Sequence, residues 1–272
     1  MFDSAFRLYA GTAARRRAGL IALLLALAAA IAMSPAVRIA AGSPAASQPV
    51  FLPLVGNIVH QVAPDLPFDP YSTRTGKATY YAADGGGNCS FDASPGNLMV
   101  AAMNQTDYYL GIGSWLCGAY VQIDGPQGSV VVRIVDRCPE CPAGNIDMSK
   151  EAFAKIANVV DGIVPISWHI VSPALSGPIV YQFKDGSSQW WTAVQIRNHR
   201  NPIYKLEYRT GAGMFKEAPR QEYNYFVESS GMAPGPYTFR VTDIYGHTLT
   251  DSGIPLTVGG EVAGKAQFPP QP

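Results

Sequence analysis

Two carboxylates, Asp136 and Asp147, bracket the short loop Cys138-Pro-Glu-Cys141. Carboxyl groups held beside a sugar can perform acid–base chemistry at a glycosidic bond, one protonating the leaving oxygen and the other activating water. In Val130–Asp136 the period-two alternation assigns Val130, Val132, Ile134 and Asp136 to one strand face. Asp136 then ends an apolar row where the chain leaves the core. Asp147 stands in Asn-Ile-Asp-Met-Ser, two residues before a helix cap. The same positions also suit structural roles, with Asp147 favouring the helix N-terminus and Asp136 capping a turn. Asp84, Asp92 and Asp107 lie in loop patterns, and nothing around them marks a catalytic base.

The four cysteines allow three pairings. Cys138 and Cys141 can close a tight loop, leaving Cys89 with Cys117. A zinc site would want two close ligand pairs or added histidine, and the four histidines are scattered. A redox dithiol normally opens a helix, whereas this motif runs into Pro-Ala-Gly-Asn. Structural disulfides without a metal are the expectation. A second group of interest is Trp190-Trp191. In a regular strand adjacent side chains take opposite faces, so one ring belongs to the core unless a bulge or turn re-aims it. Tyr204 and Tyr208 share a face with Leu206 and read as core, and His169 and His199 read as structural.

These residues need a scaffold, and the pattern is one of short strands punctuated by turns. Strands are expected at Ala78–Ala82, Ala119–Ile123, Val130–Val135 and Ile166–Val171, then at Ile179–Phe183, Thr192–Arg197, Ile203–Arg209 and Tyr237–Asp243. One helix is expected from Lys150 to about Val160, capped by Ser149 and followed by Gly162, with Ala152, Phe153, Ile156, Ala157 and Val160 on its buried face. A Pro- and Gly-containing break at 173–177 separates a cysteine-bearing domain (76–172) from a β-sandwich (178–258), and 259–272 reads as a loose tail. Residues 47–75 read as a Pro-rich linker or arm, whose apolar piece Val50–Val55 could pack on the domain. Residues 1–46 read as an export signal, or an anchor if uncleaved: Arg15-Arg16-Arg17, an apolar run from Ala18 to Met33, then small residues. The expected product is secreted, or held at the cell surface if the segment stays.

The chain of 272 residues balances Lys+Arg 20 against Asp+Glu 20. Residues 1–46 hold five of the basic residues and one acidic, so the remainder carries 15 basic and 19 acidic. Residues 76–172 hold five basic and nine acidic, and residues 178–258 eight and seven. Neither is a nucleic-acid surface, and the mature form needs no membrane. Charged residues are 15%, with Gly 27 and Pro 22, which excludes a coiled coil and a charge-rich disordered chain.

Several stretches, in order, resemble bacterial two-domain expansins: Gly76-Lys-Ala-Thr79-Tyr80-Tyr81, Tyr120-Val-Gln-Ile-Asp-Gly-Pro126, Asp136-Arg-Cys-Pro-Glu-Cys141, Ile146-Asp147-Met-Ser149, Lys184 through Trp190-Trp191 to His199, and Glu222-Tyr-Asn-Tyr-Phe226. The resemblance runs from about 76 to 268. It implies an all-β chain: a double-psi β-barrel with one short helix, then an immunoglobulin-like carbohydrate-binding sandwich. It implies a monomer without cofactor that loosens cell-wall polysaccharide (cellulose, xylan or peptidoglycan) without hydrolysis. Thr79, Asp136 and Asp147 would line the groove. Trp190, Trp191 and Tyr223, or Tyr225 in its place, would form an aromatic row with Lys184 at its edge. Cys138 departs from the pattern, since some bacterial members place an aromatic ring there. The rival readings are an endoglucanase or lytic transglycosylase using Asp147 as acid, and a barwin-like inhibitor or carbohydrate adhesin.

Overall fold

The computed structural model describes residue 63 and residues 66–109 and 113–271. The export segment and Val50–Val55 lie outside these residues.

Six strands close a barrel: β1 (Arg74–Tyr81), β2 (Val100–Asn104), β3 (Tyr120–Gly125), β4 (Gly128–Cys138), β5 (Ile146–Ser149) and β6 (Val164–Val171), in the order β1-β5-β2-β4-β3-β6. β1/β5 and β2/β4 are parallel and the other pairs antiparallel. Closure leaves no strand edge unpaired. Alternation sets the core most clearly in β6, where Val164, Ile166, Trp168 and Ile170 point inward. Two strands carry no such signal in the sequence. β2 is buried along its whole length, and β5 has four residues.

α1 (Gln105–Tyr109) follows β2, and α2 spans only Lys150–Phe153, not the three turns expected to Val160. Its start is as read: the Ser149 hydroxyl accepts the Ala152 N–H. Its end is decided by the barrel. The Ile156 carbonyl accepts the Gln127 N–H at 2.9 Å, from the β3–β4 turn, instead of continuing a helical ladder. Asn158 is then extended, and a tight helical turn spans Val159–Asp161. Ala152, Phe153, Ile156 and Ala157 stay buried, while Val160 is 91% exposed, contrary to expectation.

The second half is a sandwich of two four-stranded sheets. One runs β10 (Lys216–Glu217), β9 (Ile203–Thr210), β12 (Tyr237–Asp243), β13 (Thr248–Ile254); the other runs β11 (Phe226–Glu228), β8 (Thr192–Arg197), β7 (Val180–Phe183), β14 (Glu261–Ala263). Tyr181 stacks on Phe239 at 5.0 Å between the sheets. The segment read as a loose tail is part of this domain: β14 pairs with β7, and Phe268 is buried in the core. Tyr208 is core as expected. Tyr204 is instead half-buried, edge-on to the barrel's Trp115 at 5.3 Å. The two domains share packing, since Ile244 and Tyr245, after β12, belong to the barrel's hydrophobic cluster. Residues before the barrel join it too, with Leu66, Phe68 and Tyr71 packed on that cluster.

Candidate functional site

The barrel's register brings the sequence-selected groove residues into one row. Thr79 on β1 pairs with Asp147 on β5, Asp147 with Ala102 on β2, and Ala102 with Asp136 on β4. Residues so paired share a face, and neighbouring strands lie about 4.8 Å apart. The two aspartates therefore leave the sheet two strands, about 10 Å, apart, with the methyl of Ala102 as the floor between them. Ile146 and Met148 point into the core on either side of Asp147, so its carboxyl faces outward.

Asp136 reaches this face only because β4 is irregular. The β2/β4 register slips between Ala101 and Ala102: Ala101 faces Ile134, and Ala102 faces Asp136. Val135 is the extra residue, and it joins Ile134 in the core. Such a bulge reverses the facing of everything after it. The simple alternation, which put Asp136 on the face of Val132 and Ile134, is thereby corrected.

The two carboxyls differ in environment. Asp136 Oδ1 accepts the N–H of Asn88 at 2.7 Å and of Arg137 at 2.8 Å. The loop delivering Asn88 lies so close that a Cβ on Gly87 would collide with the Asp136 side chain. Asp147 accepts the Thr79 hydroxyl at 2.6 Å. Burial lifts the Asp147 carboxyl above its ordinary range; the Thr79 hydrogen bond opposes the rise, and the charges of Glu140 and Asp136 add to it. Asp147 is thus the more readily protonated of an ordinary Asp and itself, a property suited to a proton donor or a neutral hydrogen-bond donor.

Tyr81, two residues beyond Thr79 and on the same face, was not singled out by sequence reasoning. Period-two alternation from Thr79 was the signal that could have found it. Its hydroxyl is buried without a hydrogen-bond partner among the described residues. Burial, then the charges of Asp136, Asp147 and Asp84, push its phenol upward. Of the three loop aspartates, Asp107 is engaged by Arg74, Asn104 and the Gly144 N–H, and Asp92 pairs with Arg197 at 2.6 Å. Asp84 is the one near Tyr81. Both disulfides are formed, Cys89–Cys117 and Cys138–Cys141. Cys138 is buried and offers the groove no ring.

On the sandwich, Trp190 is 73% exposed and Trp191 half-buried. The turn does this. The Ser188 N–H donates to the Trp191 carbonyl at 2.6 Å, placing Gln189 and Trp190 at the tip of a tight turn. The backbone of Gly231 (φ +77°) packs directly on Gln189 and Trp190, where any Cβ would strike the Gln189 carbonyl. Val194 and Ile196 face the core, so Ala193, Gln195 and, by alternation, Trp191 face outward on β8. Tyr225 precedes Phe226, which pairs with Val194; it therefore lies beside Gln195, on the order of 13 Å along the strand from Trp191. Tyr223 is exposed and Tyr225 nearly buried, their rings 6.0 Å apart. Lys184 Nζ sits 6.0 Å from the first ring and 5.0 Å from the second. Of the two tyrosines left open by the sequence, Tyr223 is the one at the surface.

A strap joins this face to the groove. The Glu222 carbonyl accepts the Tyr108 hydroxyl at 2.7 Å and the Asn88 side-chain amide at 3.1 Å, while its carboxylate accepts the Tyr109 hydroxyl at 2.9 Å. Asn88 is the residue whose backbone holds Asp136, so a single residue contacts both the groove and the segment carrying Tyr223.

A family model described as "Lytic transglycolase" matches residues 73–168. Expansin-YoaJ of Bacillus subtilis (strain 168) is 36% identical over 201 residues, covering 71% of this chain and 86% of that one. Expansin-like protein 2 of Dictyostelium discoideum is 31% identical over 212 residues, covering 74% of this chain and 50% of its own. A mutant Clavibacter michiganensis expansin, solved in complex with cellohexaose, superposes with TM-score 0.67 at 33% identity, covering 73% of this chain and 99% of that one. With its double-psi barrel, its sandwich and these relatives, the chain belongs to the expansin family.

Proposed function

We propose that this is a secreted, wall-loosening protein whose sandwich docks on cellulose or a similar glycan through Trp190, Trp191 and Tyr223, with Lys184 at the edge. Flat rings stack on the axial C–H face of a glucan and both shed water. The barrel groove then takes one chain, which Asp136, Asp147 and Thr79 grip by their hydroxyl-bonding oxygens, and weakens its bonds to neighbouring chains. The single observation that carries this is the continuous row Thr79–Asp147–Ala102–Asp136, tied through Asn88 to the segment bearing Tyr223. Of the three loop aspartates considered as a base, Asp107 and Asp92 are held in ion pairs, so a hydrolytic mechanism would have to recruit Asp84. The complex of the Clavibacter expansin with cellohexaose supports a glucan as ligand.

The test is to incubate the protein with cellulose, xylan and peptidoglycan and follow wall extension and soluble fragments together. Extension that is lost in Asp147→Asn, with no fragments released, is expected. Robust release of soluble sugars that disappears in Asp147→Asn would refute the non-hydrolytic reading. Release of muropeptides alone, ending in 1,6-anhydro sugars rather than reducing ends, would support the second reading, a lytic transglycosylase. That reading is favoured by the family model over residues 73–168 and by the raised Asp147, since such enzymes need one acid.

A further inference from the structure

Away from the groove, Arg133 has no carboxylate partner among the described residues. Arg133 sits midway along β4, opposite Val100 on one side and Tyr120 on the other. Arg74, Arg197 and Arg240 are each paired with a carboxylate. The Arg133 guanidinium instead lies over the Phe91 ring at 4.5 Å. That contact uses the face of the group and leaves its in-plane N–H donors unspent. Among the described residues no oxygen pairs with them. Arg133 is half-buried, and its donors stay open to water or a ligand.

Space for an anion is present on the same side chain. An inner cavity of about 110 Å³ is lined by Phe91, Gly118, Tyr120, Arg133, Asn198 and His199. An outer one of about 430 Å³ shares Tyr120 and Arg133 and adds Asn97, Val131, Pro173 and Leu175. His199 Nδ1 donates to the Asn201 carbonyl at 2.8 Å, so on the neutral ring Nε2 is an acceptor. Nε2 faces Gly118, where a Cβ would stand 2.5 Å from it. The inner cavity is too small for a pyranose ring, and its imidazole acceptor suits a donor such as a hydroxyl, while the Arg133 donors also line the outer cavity. The outer cavity fits a ring, with Val131, Pro173 and Leu175 as an apolar wall and the Asn97 amide for hydroxyls. The planar guanidinium of Arg133 matches the bidentate geometry of a carboxylate.

We propose that this crevice between barrel and sandwich binds a hexuronic acid residue of a glycan, its carboxylate on Arg133 and its ring against Val131 and Leu175. The site is separate from the groove. The loop through Cys89, whose N–H donates to the Val135 carbonyl at 3.1 Å, crosses β4 between Arg133 and Asp136. The proposal does not depend on the groove's being a glucan site.

The experiment is calorimetric titration of the whole protein with methyl glucuronide and methyl galacturonide, with methyl glucoside and acetate as controls and cellohexaose as a probe of the other site. At least one uronide should bind tenfold or more tightly than both controls, and the stronger of the two identifies the acid. Arg133→Gln and Val131→Glu should each lower that affinity tenfold or more and leave cellohexaose affinity unchanged. Val131 is 39% exposed, so its variant tests the site even if Arg133→Gln does not fold. Equal affinity for uronide and glucoside would overturn the proposal. So would acetate binding as tightly as the uronides (an anion hole without sugar recognition), or uronide binding that survives Val131→Glu.

Discussion

Replacing Thr79 by Val keeps the shape of the side chain and removes one hydroxyl. That hydroxyl donates to Asp147 Oδ1 at 2.6 Å and opposes the rise that burial imposes on the carboxyl. Without it the Asp147 carboxyl must move further upward. A hydrogen bond to a charged group contributes about 1.5–3 kcal/mol, and for a half-buried acceptor the lower end applies, roughly 1.5 kcal/mol. In a protein of this size that lowers Tm by roughly 3–6 °C. The sign with pH follows from linkage. A carboxyl whose folded pKa exceeds its unfolded one favours folding while protonated, and that contribution is lost as pH rises through the folded pKa. The destabilisation by Thr79→Val should therefore be full at neutral pH and shrink toward the smaller loss of a neutral hydrogen bond as Asp147 is protonated. Denaturant titrations of both proteins from acid to neutral pH, with carboxyl-carbon NMR on Asp147, measure both effects. A ΔΔG independent of pH, or an Asp147 pKa that falls in the variant, would show that Thr79 does not govern this carboxyl.

His199 is buried and its pKa is depressed to about 4, chiefly by burial. The unfolded state then binds the extra proton, so stability should fall by roughly 3 kcal/mol as pH drops from about 6.5 to 4, and His199→Gln should flatten that part of the profile. The two disulfides close loops of very different length, with sequence separations 28 and 3. Loop entropy assigns them about 3.6 and about 2 kcal/mol, so Cys89→Ala/Cys117→Ala should lower the denaturation midpoint more than Cys138→Ala/Cys141→Ala. Gly231→Ala should displace the turn that presents Trp190 and weaken cellulose pull-down as Trp190→Ala does, at a stability cost on the order of 1–3 kcal/mol; full binding would show that the turn does not set the platform.

Much of the site was legible because its signals are local. Closing the Cys138-Pro-Glu-Cys141 loop on itself was one of three pairings and is the one formed, and a carboxylate on either side of it is held near it by chain connectivity. Ser149 could be named as a cap because a hydroxyl just before a helix has one nearby orphan N–H to accept. The exposure of Trp190 was open between strand and turn, and the turn residues Ser188 and Gln189 settle it. Tyr81 was missed because a tyrosine in a strand reads as packing until the charges of Asp136 and Asp147 are known to act on it.

By itself the sequence determined that two turn-rich β domains exist, that the cysteines belong to the first, and that Asp136, Asp147 and the tryptophan pair were the residues to watch. Periodicity, connectivity and composition act over a few residues and survive without a fold. Only the tertiary structure decided which way Asp136 faces. A single extra residue, Val135, resets the alternation, and its position depends on the partner strand β2. It decided that α2 stops after Phe153, because the Ile156 carbonyl bonds to a hairpin distant in the chain. It decided that Glu261–Ala263, in the segment read as a loose tail, form a strand, since β14 has a partner only once β7 is in place. In each case the deciding contact joins residues far apart in sequence, whose energy no local pattern contains.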